Sequence, residues 1–222
     1  MTPVGMRNPF VVIEWNIGAG KTTLSTMLSQ ELSRRLILEE FTDNPFLANF
    51  YDNPERYAFP VELFFMTERH KQLQMELSQP QFFEQGIISD YIFIKTLLFA
   101  RNNLKEDEFR LFQRLFHILK TNFPRPDLVL YLHQSIEGLQ ANIRKRGRSY
   151  EQQMDPAYLL QIQNAYFDYF RTVTDIPILI LDVEQLDFVR QPAHFAAIRT
   201  LIGQPHPAGM QQIPGEELLV IR

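Results

Sequence analysis

Apolar residues in this chain alternate between short continuous runs and stretches where they recur every three or four positions. Pro9 to Glu14, Leu36-Ile37-Leu38, Gly86 to Asp90, Asp127 to His133 and Ile176 to Leu181 are runs of strand length, apolar enough for strands buried on both faces. Between them the period changes. After the first run Leu24, Met27, Leu28 and Leu32 repeat at helical spacing, so strand, helix and strand form a βαβ unit, whose connection should be right-handed. Asn53-Pro54 can cap and start a helix that Pro60 should end or kink, and a strongly aromatic helix follows from about Val61 to Leu77. Further helices are predicted over 92–101, 107–121, 136–146 and 194–202, and another begins at Asp155-Pro156, where an N-cap aspartate precedes proline.

Two stretches fit neither period. Thr42 to Pro54 contains two Asn-Pro steps and reads as a surface loop, and residues 204–222, rich in Pro and Gly, read as a tail that packs little. The sum is an α/β protein with a five-stranded parallel sheet and helices on both faces. Ligands of such sheets bind beyond the carboxyl ends of the strands. That rule gathers the turn after the first strand, Glu39 after the second and Asp90 after the third around one crevice.

Composition narrows the partners. With 222 residues, 45% of them hydrophobic, the chain suits one sizeable domain. A formal net charge of −4 argues against a general nucleic-acid binder, so small molecules or proteins are the expected partners. The absence of cysteine excludes disulfides, thiolate metal sites and a cysteine nucleophile, and it suits a reducing compartment. The 19 phenylalanines indicate an aromatic-rich core or an aromatic-lined pocket without distinguishing them. No apolar stretch approaches the roughly 20 residues that span a bilayer, and the first ten residues lack a signal-peptide pattern. No membrane partner and a cytoplasmic location are therefore expected. His70, His117, His133, His194 and His206 show no metal-ligand spacing.

The turn after the first strand carries chemistry. Gly20, Lys21 and Thr22 satisfy the second half of the pattern G-x-x-x-x-G-K-[ST], in which backbone N–H groups and a helix N-terminus surround phosphates, the lysine reaches the β/γ-phosphates and the hydroxyl ligates magnesium. Asn16, Ile17, Gly18, Ala19, Gly20, Lys21, Thr22 and Thr23 are thus the expected nucleotide-binding residues. Trp15 stands where the pattern has its first glycine. Either its bulk reshapes the loop entrance, or the position is extended and the indole packs or flanks the nucleotide.

IEWNIGAGKTTL, the acidic end of the second strand, DNPFLANFYDNPERYAF and KRGRSYEQ occur in this order, and with them the chain resembles the deoxyribonucleoside kinases, in particular their bacterial deoxyadenosine, deoxyguanosine and deoxycytidine kinase branch. The resemblance covers roughly residues 9–203, so a single kinase domain over 1–203 with a separate tail is expected. It implies a P-loop NTPase fold, ATP and Mg²⁺, transfer to a deoxynucleoside 5′-hydroxyl and a homodimer.

The same resemblance assigns residues. Glu39 matches the general base and Asp90 a carboxylate beside the metal, although the family's following Arg and Ser are replaced by Tyr91 and Ile92, which removes a cation near the substrate hydroxyl. Tyr51 and Glu151 match residues that contact the sugar 3′-hydroxyl. Glu62 and Arg69, seven residues apart on one helix face, match the nucleobase contacts. A carboxylate where many members have glutamine offers acceptors only, favouring bases that present N–H groups unless Arg69 neutralises it. Arg146 and Arg148 match a lid over the donor phosphates, about 144–153, and Asp187 and Phe188 a segment near the donor adenine.

The expected activity is Mg²⁺-dependent transfer of the ATP γ-phosphate to a deoxynucleoside in nucleotide salvage, with Glu39, Lys21, Arg146 and Arg148 catalytic, and Thr22 and Asp90 at the metal. A thymidylate-type monophosphate kinase and a non-catalytic nucleotide-binding protein with a kinase fold are the alternatives.

Overall fold

A computed structural model describes residues 8–17, 21–39, 44–77, 85–120, 123–148 and 151–218. The five expected runs are strands: β1 Phe10–Trp15, β2 Arg35–Ile37, β3 Ile87–Ser89, β4 Leu128–His133 and β5 Pro177–Asp182. A sixth, β6 Gly209–Ile213, comes from the stretch expected to pack little. It pairs parallel to β5 along five residues, giving a six-stranded parallel sheet of order β2-β3-β1-β4-β5-β6 and correcting the five-stranded expectation. With Gln211 and Gln212 at its centre and most of its residues half-buried, this edge strand lacks the apolar run that marks a strand covered on both faces.

The helices are α1 Lys21–Glu31, α2 Leu47–Asp52, α3 Pro54–Leu77, α4 Lys95–Asn103, α5 Glu106–Leu119, α6 Ile136–Arg146, α7 Pro156–Thr172, α8 Pro192–Gly203 and α9 Gly215–Leu218. The α9 start sits close under β5, where a Cβ on Gly215 would stand 2.4 Å from the Asp182 carbonyl oxygen. One expectation fails locally. The supposed loop before Pro54 contains α2, because Phe50 is buried against Ala58 and Val61 and anchors a turn of helix there. Pro60, expected to end or kink a helix, lies inside α3 and does not end it.

Alternation along the strands divides the core. Val11, Ile13 and Trp15 pack with Leu24 and Leu28 of α1, Leu139 and Ile143 of α6, and Ile198 and Ile202 of α8. Phe10 and Val12 face Met66 and Leu73 of α3, Leu98 of α4, Phe112 and Phe116 of α5, and Tyr166 and Phe170 of α7. Much of the aromatic complement is thus core. The chain moves from β3 on one side of β1 to β4 on the other, so β1 ends at the point where the strand order reverses, the crevice such sheets use for ligands.

Candidate active site

A cleft of about 830 Å³ opens over the carboxyl ends of the strands, with Trp15, Asn16, Ile17, Thr22 and Glu39 among its lining residues. The glycines and alanine of the loop and the Lys21 side chain lie outside the described residues. Asn16 ties the loop entrance to α7 by donating from Nδ2 to the Leu159 carbonyl (2.7 Å), while its Oδ1 accepts from the Ile17 N–H (2.8 Å). Thr23 is exposed and is not among the cleft-lining residues.

Trp15 closes β1 as a buried strand residue in register with Leu132 of β4. It occupies no left-handed conformation; among the described non-glycine residues only Ser33 has positive φ. The backbone therefore needs no glycine here, and the indole fills core while lining the cleft. The neighbouring Glu14 is wholly buried yet fully used. Its Oε1 accepts from the Ile92 N–H (2.9 Å), and Oε2 accepts from the Trp15 N–H (3.2 Å) and the Tyr166 hydroxyl (3.1 Å). A strand glutamate thus pins the turn that follows β3.

On that turn Asp90 bridges two elements. Its Oδ1 accepts from the Glu39 backbone N–H (2.7 Å) and its Oδ2 from the Thr22 hydroxyl (3.1 Å). A hydroxyl beside a carboxylate is a pair of oxygen donors suited to a hard cation such as Mg²⁺, which takes one or two protein ligands together with phosphates and water. Tyr91, in place of the family arginine, is fully buried and donates to Gln72 Oε1 (2.6 Å); burial pushes its hydroxyl pKa up.

Glu39 is gripped by two cations. Arg69 of α3 donates to its Oε1 from Nε (2.8 Å) and Nη2 (2.6 Å), and Lys95 of α4 donates to its Oε2 (2.6 Å). Arg69 also donates to the Thr96 hydroxyl (3.0 Å) and lies over the Phe65 ring. Burial pulls its pKa down, but the Glu39 carboxylate outweighs that and holds it above the usual value. Lys95 thus supplies a positive charge that the replacement of arginine by Tyr91 had seemed to remove.

Glu62 is 2% exposed and lines the cleft, with Oε1 accepting from Asn103 Nδ2 (2.6 Å). Burial raises its pKa from 4.5 to about 7, against the lowering effect of Asn103. Burial also raises Tyr158 of α7, near Glu62. Lys95 and Asn103 were not singled out from the sequence. Together with Phe99 they recur at intervals of four on α4 and all line the cleft, a spacing that could have revealed them.

Across the cleft, Ser135 caps α6 and Gly147 ends it with φ +75°. The left-handed turn carries Arg146 and Arg148 to Glu151, at 3.8 and 3.3 Å, and all three line the cleft. Tyr51, from α2, lines it as well, as do Asp187 and Phe188 beyond β5. The Asp187 carboxylate accepts from the Val189 and Arg190 N–H groups and so shapes its own loop.

The deoxynucleoside kinase family model matches residues 11–204. A deoxyguanosine kinase of Bacillus subtilis is 35% identical over 196 residues, spanning 86% of this chain and 94% of the relative. A deoxyadenosine/deoxycytidine kinase of the same organism is 28% identical over 193 residues, spanning 82% and 86%. The structure of a deoxyadenosine kinase from M. mycoides with bound dATP superposes with a TM-score of 0.74 at 24% identity, covering 88% of this chain and 100% of that one, which shows a common fold. With the family pattern matched over most of its length, the chain belongs to the deoxynucleoside kinase family.

Proposed function

We propose that this deoxynucleoside kinase transfers the γ-phosphate of ATP, in the presence of Mg²⁺, to the 5′-hydroxyl of a deoxyribonucleoside in nucleotide salvage. The observation that carries the reading is a continuous set of contacts from α1 to the acceptor side: Thr22 to Asp90, Asp90 to the Glu39 backbone, and the Glu39 carboxylate to Arg69 and Lys95. It links the phosphate end of the cleft to a carboxylate within reach of a nucleoside hydroxyl.

Glu39 accepts the 5′-hydroxyl proton as the O5′–P bond forms and the bond from Pγ to the β,γ-bridging oxygen breaks, releasing ADP. Lys95 and Arg69 orient that carboxylate, and Lys95 meets charge developing on the transferred phosphoryl group. Thr22 and Asp90 would hold Mg²⁺, which when bound neutralises phosphate charge. Lys21 reaches the phosphates, Asn16 to Thr23 surround them, and Arg146 and Arg148 act from a lid of about 144–153. Asp187 and Phe188 border the adenine, while Tyr51 and Glu151 hold the sugar 3′-hydroxyl and Glu62 with Arg69 the base. The kinase domain is taken as residues 1–203, with β6 and α9 of the following segment completing its sheet edge.

The acceptor is a nucleoside rather than a monophosphate because Arg69 and Lys95 are both engaged by Glu39, which offsets the charge a second phosphate would require. A homodimer is part of the reading, supported by exposed Leu111 and Ile118 seven residues apart on α5. Among the described residues no helix is long and apolar enough to cross a membrane, and the cytoplasm, where ATP is available, is the proposed location.

The test is to incubate purified protein with ATP–Mg²⁺ and separately with each common deoxynucleoside, dAMP and dTMP, following ADP and product. A deoxynucleoside should yield its 5′-monophosphate, and Lys21→Ala should abolish turnover while the fold persists. Phosphorylation of the monophosphates alone, or of nothing, overturns the reading.

A further inference from the structure

The base end of the cleft contains a polar atom with nothing to do. Glu62 is buried on α3; its Oε1 already receives the Asn103 amide, but its Oε2 is buried without a hydrogen-bond partner among the described residues. An unpaired buried carboxylate oxygen is costly, and a ligand N–H would remove that cost. The Arg69 guanidinium, buried on the same helix, spends its hydrogen bonds among the described residues on Glu39 and Thr96 rather than on this oxygen.

Bases differ in what they can offer such a group. The Watson–Crick edge of guanine presents two adjacent donors, N1–H and the N2 amino group, followed by the O6 acceptor. Adenine offers one donor, its N6 amino group, beside the N1 lone pair, and cytosine one donor beside the N3 lone pair. A carboxylate has two acceptor oxygens with about four lone-pair sites, so Oε1 can serve Asn103 and still accept a second bond while Oε2 accepts the other. A guanidinium beside it complements an acceptor such as O6. Against adenine or cytosine the same carboxylate meets a ring-nitrogen lone pair.

We infer that the buried carboxylate of Glu62, backed by Asn103 and flanked by Arg69, selects guanine, making 2′-deoxyguanosine the preferred acceptor. This rests on the kinase reading of the cleft and adds its base specificity. The charged groups facing Glu62 are Arg69 on its own helix, Lys95 on α4 and Glu39 beyond β2, with the phenol of Tyr158 from α7. Two N–H donors from guanine favour the ionised form of the carboxyl, so binding draws Glu62 into the state that recognises it.

The experiment compares kcat/KM for deoxyguanosine, deoxyinosine, deoxyadenosine and deoxycytidine with ATP–Mg²⁺ in wild type and Glu62→Gln. In wild type deoxyguanosine should exceed deoxyadenosine and deoxycytidine by about 10²-fold or more, because a site built to pair a polar group penalises its absence. Deoxyinosine, which keeps N1–H and O6 but lacks the N2 amino group, should fall between. Glu62→Gln replaces an acceptor with a donor and should shrink the deoxyguanosine to deoxyadenosine ratio at least tenfold, the loss falling on deoxyguanosine. The inference is overturned if wild type uses deoxyadenosine or deoxycytidine as well as deoxyguanosine, or if the folded variant keeps the ratio within twofold. Should the variant not fold, the wild-type ordering with deoxyinosine decides. Absence of all turnover would sink the kinase reading instead; calorimetric binding of the four nucleosides would then decide base selection, with no preference for deoxyguanosine overturning it.

Discussion

On the acceptor side of the cleft the side chains of Glu39, Arg69 and Lys95 are 14%, 4% and 9% exposed and hold one another at hydrogen-bond distance. On the opposite side Arg146 and Arg148 are 39% and 35% exposed and reach Glu151 at 3.8 and 3.3 Å. The first set stands on the long helix α3, the start of α4 and the segment just past β2, the second at the last residue of α6 and on the left-handed turn that follows it. A buried, mutually saturated cluster is organised before substrate arrives, as electrostatic stabilisation of a transition state requires. Half-exposed cations at the end of a helix suit the proposed lid, whose groups have to close over phosphates and exclude water.

That contrast breaks most severely at Glu39. Glu39→Gln removes the proton acceptor and leaves two buried cations uncompensated, so kcat should fall by about 10³–10⁴-fold and the melting temperature should drop with it. Near-normal turnover would dismiss Glu39 as the base. Next comes Trp15, at the root of the phosphate side. Trp15→Gly should cost about 3–5 kcal/mol in urea unfolding, because it empties core and places glycine in a strand. Improved ATP turnover at unchanged stability would show instead that the tryptophan obstructs the loop.

Glu62 sharpens the acceptor side through pH. Its folded pKa of about 7 lies above the unfolded 4.5, so the native state keeps a proton that the unfolded chain releases. Its contribution is fully present below pH 4.5 and is lost as pH rises through 7, by roughly 3 kcal/mol. Glu62→Gln should flatten that part of the stability profile measured by denaturant titration between pH 4.5 and 8; an unchanged slope would mean that another group carries it. The smallest effect belongs to the lid. Arg148→Ala should lower kcat by about 10–10²-fold while stability stays within about 0.5 kcal/mol, since the ion pair it loses is partly solvated. A stability loss comparable to that of Glu39→Gln would erase the distinction between the two sides.

The glycine-rich turn after β1 and Glu39 could be singled out from sequence because their signals are local: an apolar run, a glycine-rich turn, an acidic residue after a strand. Arg69 was visible at seven residues from Glu62, but its grip on Glu39 was not, since that contact joins α3 to the end of β2. Lys95 was hidden by the expectation that a cation should directly follow Asp90; it stands instead at the start of α4, past the turn after β3, and reaches the Glu39 carboxylate. Glu14 looked like an ordinary strand end, and only packing shows its two oxygens holding the turn after β3.

Sequence alone determined the α/β alternation, the helix boundary at Gly147 and the resemblance that named the reaction, because hydrophobic period, caps and motif order are written within a few residues of one another. Tertiary structure alone decided that β6 extends the sheet, that Trp15 is an extended core residue and that Glu62 is desolvated, with one oxygen lacking a hydrogen-bond partner among the described residues. Sheet pairing and desolvation depend on neighbours brought from distant parts of the chain, so their energies do not exist until the elements have packed.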